Sequence, residues 1–202
     1  MSDFERFHVI TGGPGSGKST LIEALGRRGY AHSIEAGRAI IQDQIAIDGP
    51  ALPGHDPLAF AELMLSWELR SHRMAQAETG PVFFDRGVPD MVGYFHLLGR
   101  PVPSHVTRAA ERFRYNRRVF LAPPWPAIFR QDAERKQTPE EAERTYEAMV
   151  VAYSSCGYEL VALPLASVEE RVRFVLATIG AQKRPVLANG PSSGSAGLQA
   201  RS

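Results

Sequence analysis

The chain has 202 residues, 44% of them hydrophobic and 22% charged. That is material for one domain-sized core, and it excludes wholesale disorder and collagen-like or mucin-like fibres. Its 23 basic and 22 acidic residues leave a net +1, too even a balance for a general nucleic-acid binder.

No run of about 18 uncharged apolar residues occurs, so no membrane span is expected. The charged first residues do not read as a secretory signal. The single Cys156 cannot pair internally, which points to a reducing cytoplasm. Lysine is confined to Lys18, Lys136 and Lys183 while every other basic residue is arginine. Chance within a coding bias accounts for Lys183, whereas Lys18 calls for a chemical reason.

Short apolar runs alternate with longer helical stretches, the pattern of β-α units on a parallel sheet. The first strand is Phe7 to Thr11. A helix is expected from Gly17 or Lys18 to about Gly29, with Leu21, Ile22, Ala24 and Leu25 inward. A weak second strand covers Tyr30 to Ile34. Ala36 to Ile47 then sets Ala39, Ile40 and Ile41 on one helix face, and 49–54, rich in glycine and proline, is a loop. Asp56-Pro57 starts the next helix as cap and first residue, and it runs to about Glu78. Along it, Phe60, Leu63 and Trp67 keep helical spacing and read as core.

Val82-Phe83-Phe84 is a buried strand and Arg118 to Leu121 the next. Thr138 with Glu141, and Ser167 with Glu170, form capping boxes for helices ending near Cys156 and Ile179. Between them Tyr158 to Leu163 is the last strand. Residues 183–202 form a flexible tail rich in glycine, serine, alanine and proline, outside the folded domain of 1–182.

Gly12-Gly13-Pro14-Gly15-Ser16-Gly17-Lys18-Ser19, followed by Thr20, matches the phosphate-loop pattern between a strand and a helix. Glycines let successive N–H groups surround an anion, and the helix start adds partial positive charge. Lys18 is then expected on the β- and γ-phosphates of ATP, and the Ser19 hydroxyl on Mg²⁺.

Beside such a loop, an apolar strand ending in an acid is expected to hold the metal through water or to take a proton, which singles out Asp85 for both roles. Arg86 adds a fork suited to a phosphate or acceptor oxygen. Otherwise Asp85 and Arg86 only cap the turn. A guanine-recognition Asn-Lys-x-Asp and a transporter Leu-Ser-Gly-Gly-Gln are both missing from the sequence.

The run Asp85-Arg86-x-x-x-Asp90-x-x-x-Tyr94 resembles the segment that meets the phosphoacceptor in thymidylate and deoxynucleoside kinases. Glu35-Ala36-Gly37-Arg38 resembles their Glu-Pro segment at the acceptor hydroxyl or sugar. Together with Val119 to Trp125 and Gly157 to Leu160, these motifs resemble the compact AAA-like ATPase/kinase family that includes the nicotinamide-riboside-kinase domain of NadR. The likeness covers about residues 7–180.

It implies a three-layer α/β P-loop NTPase with a parallel five-stranded sheet in the order 2-3-1-4-5. It also implies an acceptor site of Glu35, Arg38, Asp85, Arg86, Asp90 and Tyr94, with either Asp85 or Glu35 as the base. A lid is implied near 126–138 whose Arg130 or Arg135 neutralises charge on the transferring phosphoryl group. Without the resemblance, the same segment reads as a solvated helix with local ion pairs. The stretch Pro164 to Ser167 lies where related kinases wrap adenine, or is a simple turn.

The six histidines show no metal-ligand spacing. Arg112, Arg114, Arg117 and Arg118 read as a solvated basic face.

The function expected is that of an ATP–Mg²⁺ phosphotransferase or ATPase working on a small nucleoside- or nucleotide-like phosphoacceptor. One rival is a nucleotide-dependent regulatory module without kinase activity. A lesser one is a phosphotransferase for an antibiotic or nucleotide-sugar. Neither a nucleic-acid partner nor a particular oligomeric state is implied.

Overall fold

The computed structural model describes residues 3–128 and 138–180. A 3-10 turn at Asp3–Arg6 leads into β1, Phe7–Gly12, then α1, Lys18–Gly26, and the two-residue β2, Ala31–His32. Helices α2, Ala36–Ala46, and α3, Pro57–Ala75, precede β3, Val82–Asp85. After it come α4, Val88–Leu97, α5, Ser104–Arg112, and β4, Arg118–Ala122. The described chain closes with α6, Pro139–Ser155, β5, Glu159–Ala162, and α7, Val168–Thr178.

All five strands are parallel, in the order β2-β3-β1-β4-β5. β1 is therefore central, buried along its whole length, and its apolar run reflects cover on both faces. Period-two alternation sorts the core into two layers. Val9, Phe84, Val119 and Leu121 face α3, α4 and α6, whereas Ile10, Phe83 and Phe120 face α1 and α7. A smaller cluster of Ala36, Ile40 and Phe60 joins α2 to α3.

Register sets the positions of the chemical groups. Ile10 pairs with Asp85 on one side and Phe120 on the other, so the acid at the end of β3 stands level with the last turn of β1. Ser33 continues the short edge strand by other means: its N–H donates to Phe83 O, and its hydroxyl accepts from Asp85 N–H at 3.0 Å.

Several expectations change. α1 ends at Gly26, since a turn in which Gly29 N–H donates to Gly26 O breaks it. α4 and α5 did not stand out in the sequence. Pro89 in the first turn and Asp90, whose carboxyl accepts from Gly87 N–H, start α4 with half of the capping chemistry of the later helices, since glycine has no side chain to return the bond. Leu63 is 39% exposed, because α3 turns Phe60, Ala61, Leu65, Glu68 and His72 inward instead.

Arg114 does not lie on a solvated face. Its guanidinium sits 4.2 Å from the Tyr158 ring centroid and donates to Cys156 O. Arg112, Arg117 and Arg118 are exposed as expected. The lid residues 129–137, with Arg130 and Arg135, and the tail from 183 lie outside the described residues.

His8 in β1 is 5% exposed and packs against the Phe83 ring. Burial, helped by the Arg118 charge, lowers its pKa from 6.5 to about 4. The unfolded chain therefore binds a proton between those values that the folded chain refuses. Stability is complete above about pH 6.5 and is lost as pH falls toward 4, by about 3 kcal/mol from this group. Urea midpoints measured across that window are expected to fall with pH, and to fall less in a His8→Gln variant.

Candidate functional site

The loop between β1 and α1 needs glycine at two places where backbone approaches backbone. A Cβ on Gly12 would stand 2.3 Å from Ala122 O, and Gly12 has φ +132. A Cβ on Gly13 would stand 2.3 Å from Ala142 O in the first turn of α6. Among the described residues, no backbone carbonyl accepts from the N–H groups of Gly13, Gly15, Ser16 or Gly17. Those donors, with the N-terminus of α1, make an anion seat.

Lys18 is 4% exposed, and its Nζ donates to Gly13 O at 2.6 Å and to Ser16 Oγ at 3.3 Å, inside the loop. Arg171 of α7 props the loop from behind. It is 2% exposed, donates to Ser16 O at 3.0 Å, and lies 5.7 Å from the Trp125 ring centroid.

Ser19 and Asp85 meet at the loop's edge, where Ser19 Oγ donates to Asp85 Oδ2 at 3.1 Å. Asp85 Oδ1 is buried without a partner. Burial raises the Asp85 carboxyl above its ordinary value, against the pull of Lys18 and Arg86. A buried, half-paired carboxylate beside a hydroxyl fits the oxygen donors that Mg²⁺ takes.

Asp90 gathers four donors. Thr11 Oγ1 at 2.7 Å and Arg86 Nη1 at 2.8 Å reach Oδ1, while Gly87 N–H at 3.1 Å and Tyr153 OH at 2.5 Å reach Oδ2. Arg86 is held in the left-handed region at φ +75, a conformation that costs a non-glycine residue about 1 kcal/mol. Its Nε lies 3.8 Å from Glu35 Oε1. Glu35 begins α2 without using its side chain as the cap.

A cleft of about 760 Å³ opens in front of this pair. Five of the residues singled out from sequence border it: Glu35, Arg38, Arg86, Asp90 and Tyr94. Pro14 of the loop borders it too, so loop and cleft are continuous. Asp85 stands apart, on the loop side with Ser19, and Thr20 is exposed. Phe60, Met64 and Met91 form apolar walls, and burial pushes the Tyr94 hydroxyl up to about 12. Pro164 to Ser167 follow β5, with Leu165 56% exposed and Ser167 capping α7. Among the described residues no group of three histidine, cysteine or acidic side chains could hold a metal. Likewise, no described helix is long and apolar enough to cross a membrane.

Two site features escaped the sequence. Arg171 was hidden in a helix whose capping box drew the eye, although it falls on the inward line with Val168, Val172 and Val175. Glu68 also borders the cleft, and the signal for it was an acid on the inward line Phe60, Met64, Glu68, His72.

A family model described as an AAA domain matches residues 7–171. Among solved structures, the NadR protein in complex with NR is similar with a TM-score of 0.65 at 15% identity, over 91% of this chain and 53% of that one. The chain thus spans about half of that protein. Deoxyadenosine kinase from M. mycoides with bound dATP gives 0.56 at 12% identity, over 87% and 100%. Thymidylate kinase from Ehrlichia chaffeensis gives 0.58 at 13%, over 86% and 97%. At these identities the likeness is one of fold, and the sheet order is the one expected of P-loop kinases. No curated protein matches the chain by sequence.

Since the atoms of Ala142 that crowd Gly13 are all backbone, Gly13→Ala must displace the loop or α6. It is expected to weaken Mg-ATP binding more than about tenfold in a calorimetric titration, a loss of at least ~1.4 kcal/mol, while the far-ultraviolet spectrum is unchanged.

Proposed function

Because the chain belongs to the AAA-domain family whose model matches residues 7–171, we propose that it is an ATP–Mg²⁺-dependent phosphotransferase with a small nucleoside- or nucleotide-like acceptor. The observation that carries this reading is the continuity of the phosphate loop with a walled cleft in which Glu35 faces Arg86. A nucleotide switch has use for the loop and none for the cleft.

In this reading the loop amides and Lys18 hold the β- and γ-phosphates. Ser19 and Asp85 are the residues that would hold Mg²⁺, which when bound supplies neutralisation of phosphate charge. With Asp85 committed to Ser19, Glu35 is the group that takes the acceptor proton. As the acceptor oxygen attacks the γ-phosphorus, its O–H proton passes to the Glu35 carboxylate, the bond from phosphorus to the β-bridging oxygen breaks, and ADP leaves. Arg86, fixed by Asp90, orients the acceptor, with Arg38 beside it. Tyr94 closes the wall.

Arg130 or Arg135, from a lid near 126–138, neutralises charge on the group in transfer. The unit is a single domain over 1–182, and it works in the cytoplasm.

Lys18→Ala is expected to abolish ADP release from Mg-ATP with the unfolding midpoint unchanged. Full activity in that variant would sink the assignment. Glu35→Gln is expected to slow acceptor-stimulated release by about 10²–10⁴-fold with Mg-ATP affinity unaltered. Tight ATP binding with release indifferent to every nucleoside and nucleotide would favour the regulatory module instead.

A further inference from the structure

Glu68 of α3 has no part in the chemistry above, yet it borders the acceptor cleft. It is 4% exposed, and its Oε2 has no hydrogen-bond partner. A buried carboxyl left unpaired is costly, so such atoms in native proteins commonly answer to something that binds. It stands one helical turn beyond Met64 and two beyond Phe60, on the same inward line of α3. Phe60 and Tyr94 meet edge to face, with centroids 5.9 Å apart. A flat ring lying against this aromatic pair shares the cleft with the Glu68 carboxyl.

Charge narrows the guest further. Burial holds the Glu68 carboxyl well above the usual carboxylate range, and the nearby Asp90 and Asp85 charges push the same way, against Arg86. Even with Glu68 neutral, the carboxylates of Glu35, Asp90 and Glu141 outnumber the guanidiniums of Arg38 and Arg86 among the described residues around the cleft. Arg86 is already engaged, by Asp90 at 2.8 Å and Glu35 at 3.8 Å. A phosphate monoester brought in by the acceptor would add about two more negative charges to that excess.

Resting on the phosphotransferase reading and deepening it, we propose that Glu68 is the specificity-determining residue of the cleft. It hydrogen-bonds a polar group on the ring of an uncharged or cationic nucleoside, and the cleft rejects acceptors that already carry a phosphate monoester. The reaction is then phosphorylation of a hydroxyl, and its product is the monophosphate that the cleft disfavours and releases.

The test is equilibrium binding by calorimetry to the full chain loaded with Mg²⁺ and a non-hydrolysable ATP analogue. The probes are adenosine, guanosine, cytidine, uridine, thymidine and nicotinamide riboside, each against its own 5′-monophosphate. At least one nucleoside is expected to bind about tenfold or more tightly than its monophosphate. Glu68→Met is expected to weaken that nucleoside about 10–100-fold, the cost of a lost buried hydrogen bond, whereas Glu68→Gln stays within about threefold.

An apolar residue of similar length suits the buried position, so the methionine variant is expected to fold. The glutamine variant carries the comparison independently. The inference is overturned by a monophosphate that binds more tightly than its nucleoside. It also fails if Glu68→Met binds like the wild type, or if no probe of either class binds at 10 mM. ADP release measured in parallel separates the two readings. A nucleoside bound through Glu68 that leaves release unchanged would fell the phosphotransferase reading alone. A monophosphate both preferred and phosphorylated would fell only the inference.

Discussion

The carboxylate of Asp90 holds the two halves of the site in register. A charge this deep in the protein is tolerable only when its oxygens are filled, and four donors fill them. They come from three places: Thr11 from the central strand, Arg86 and Gly87 from the turn after β3, and Tyr153 from α6. The contacts fix where α4 starts, how α6 leans on the sheet and which way Arg86 points. They also offset the cost of the left-handed backbone of Arg86. Without Asp90 the cleft would lose its oriented cation, and Glu35 the charge it faces.

Around that centre the sheet divides its labour by parity. Residues such as Ile10 and Phe83 send their side chains to α1 and α7, the helices that carry and prop the phosphate loop. Their neighbours Val9 and Phe84 point to α3, α4 and α6, the helices that wall the cleft. Asp85 closes the strand where the two layers meet, which places its carboxyl on Ser19 at the edge of the loop. α6 touches both, with Ala142 against Gly13 and Tyr153 on Asp90.

The features legible from sequence were those whose cause is local. A phosphate loop, a strand ending in Asp85 and the capping boxes at Thr138 and Ser167 each need only residues a few positions apart, and the structure has all of them. The sheet order was legible only through family likeness, since strand pairing is a long-range matter. What stayed hidden was buried charge: Glu68, Arg171 and Arg114 look like ordinary surface residues until tertiary neighbours enclose them. The start of α4 is hard to read because its cap is Gly87, which has no side chain to signal it. Asp85 and Arg86 part because Arg86 leaves β3 with left-handed backbone, a turn that its residue type does not announce.

The placement of the two tryptophans has an optical consequence. Trp125 lies against Arg171, the residue that braces the loop backbone, while Trp67 packs beside the Phe60 cluster that joins α2 to α3. The chain thus carries one native fluorophore beside the loop and another against the helix pair. An emission change from Trp125 reports movement at the loop, and one from Trp67 reports movement between α2 and α3. Replacing either with phenylalanine isolates the signal of the other, so the two movements are readable separately from the protein's own light, with no label attached.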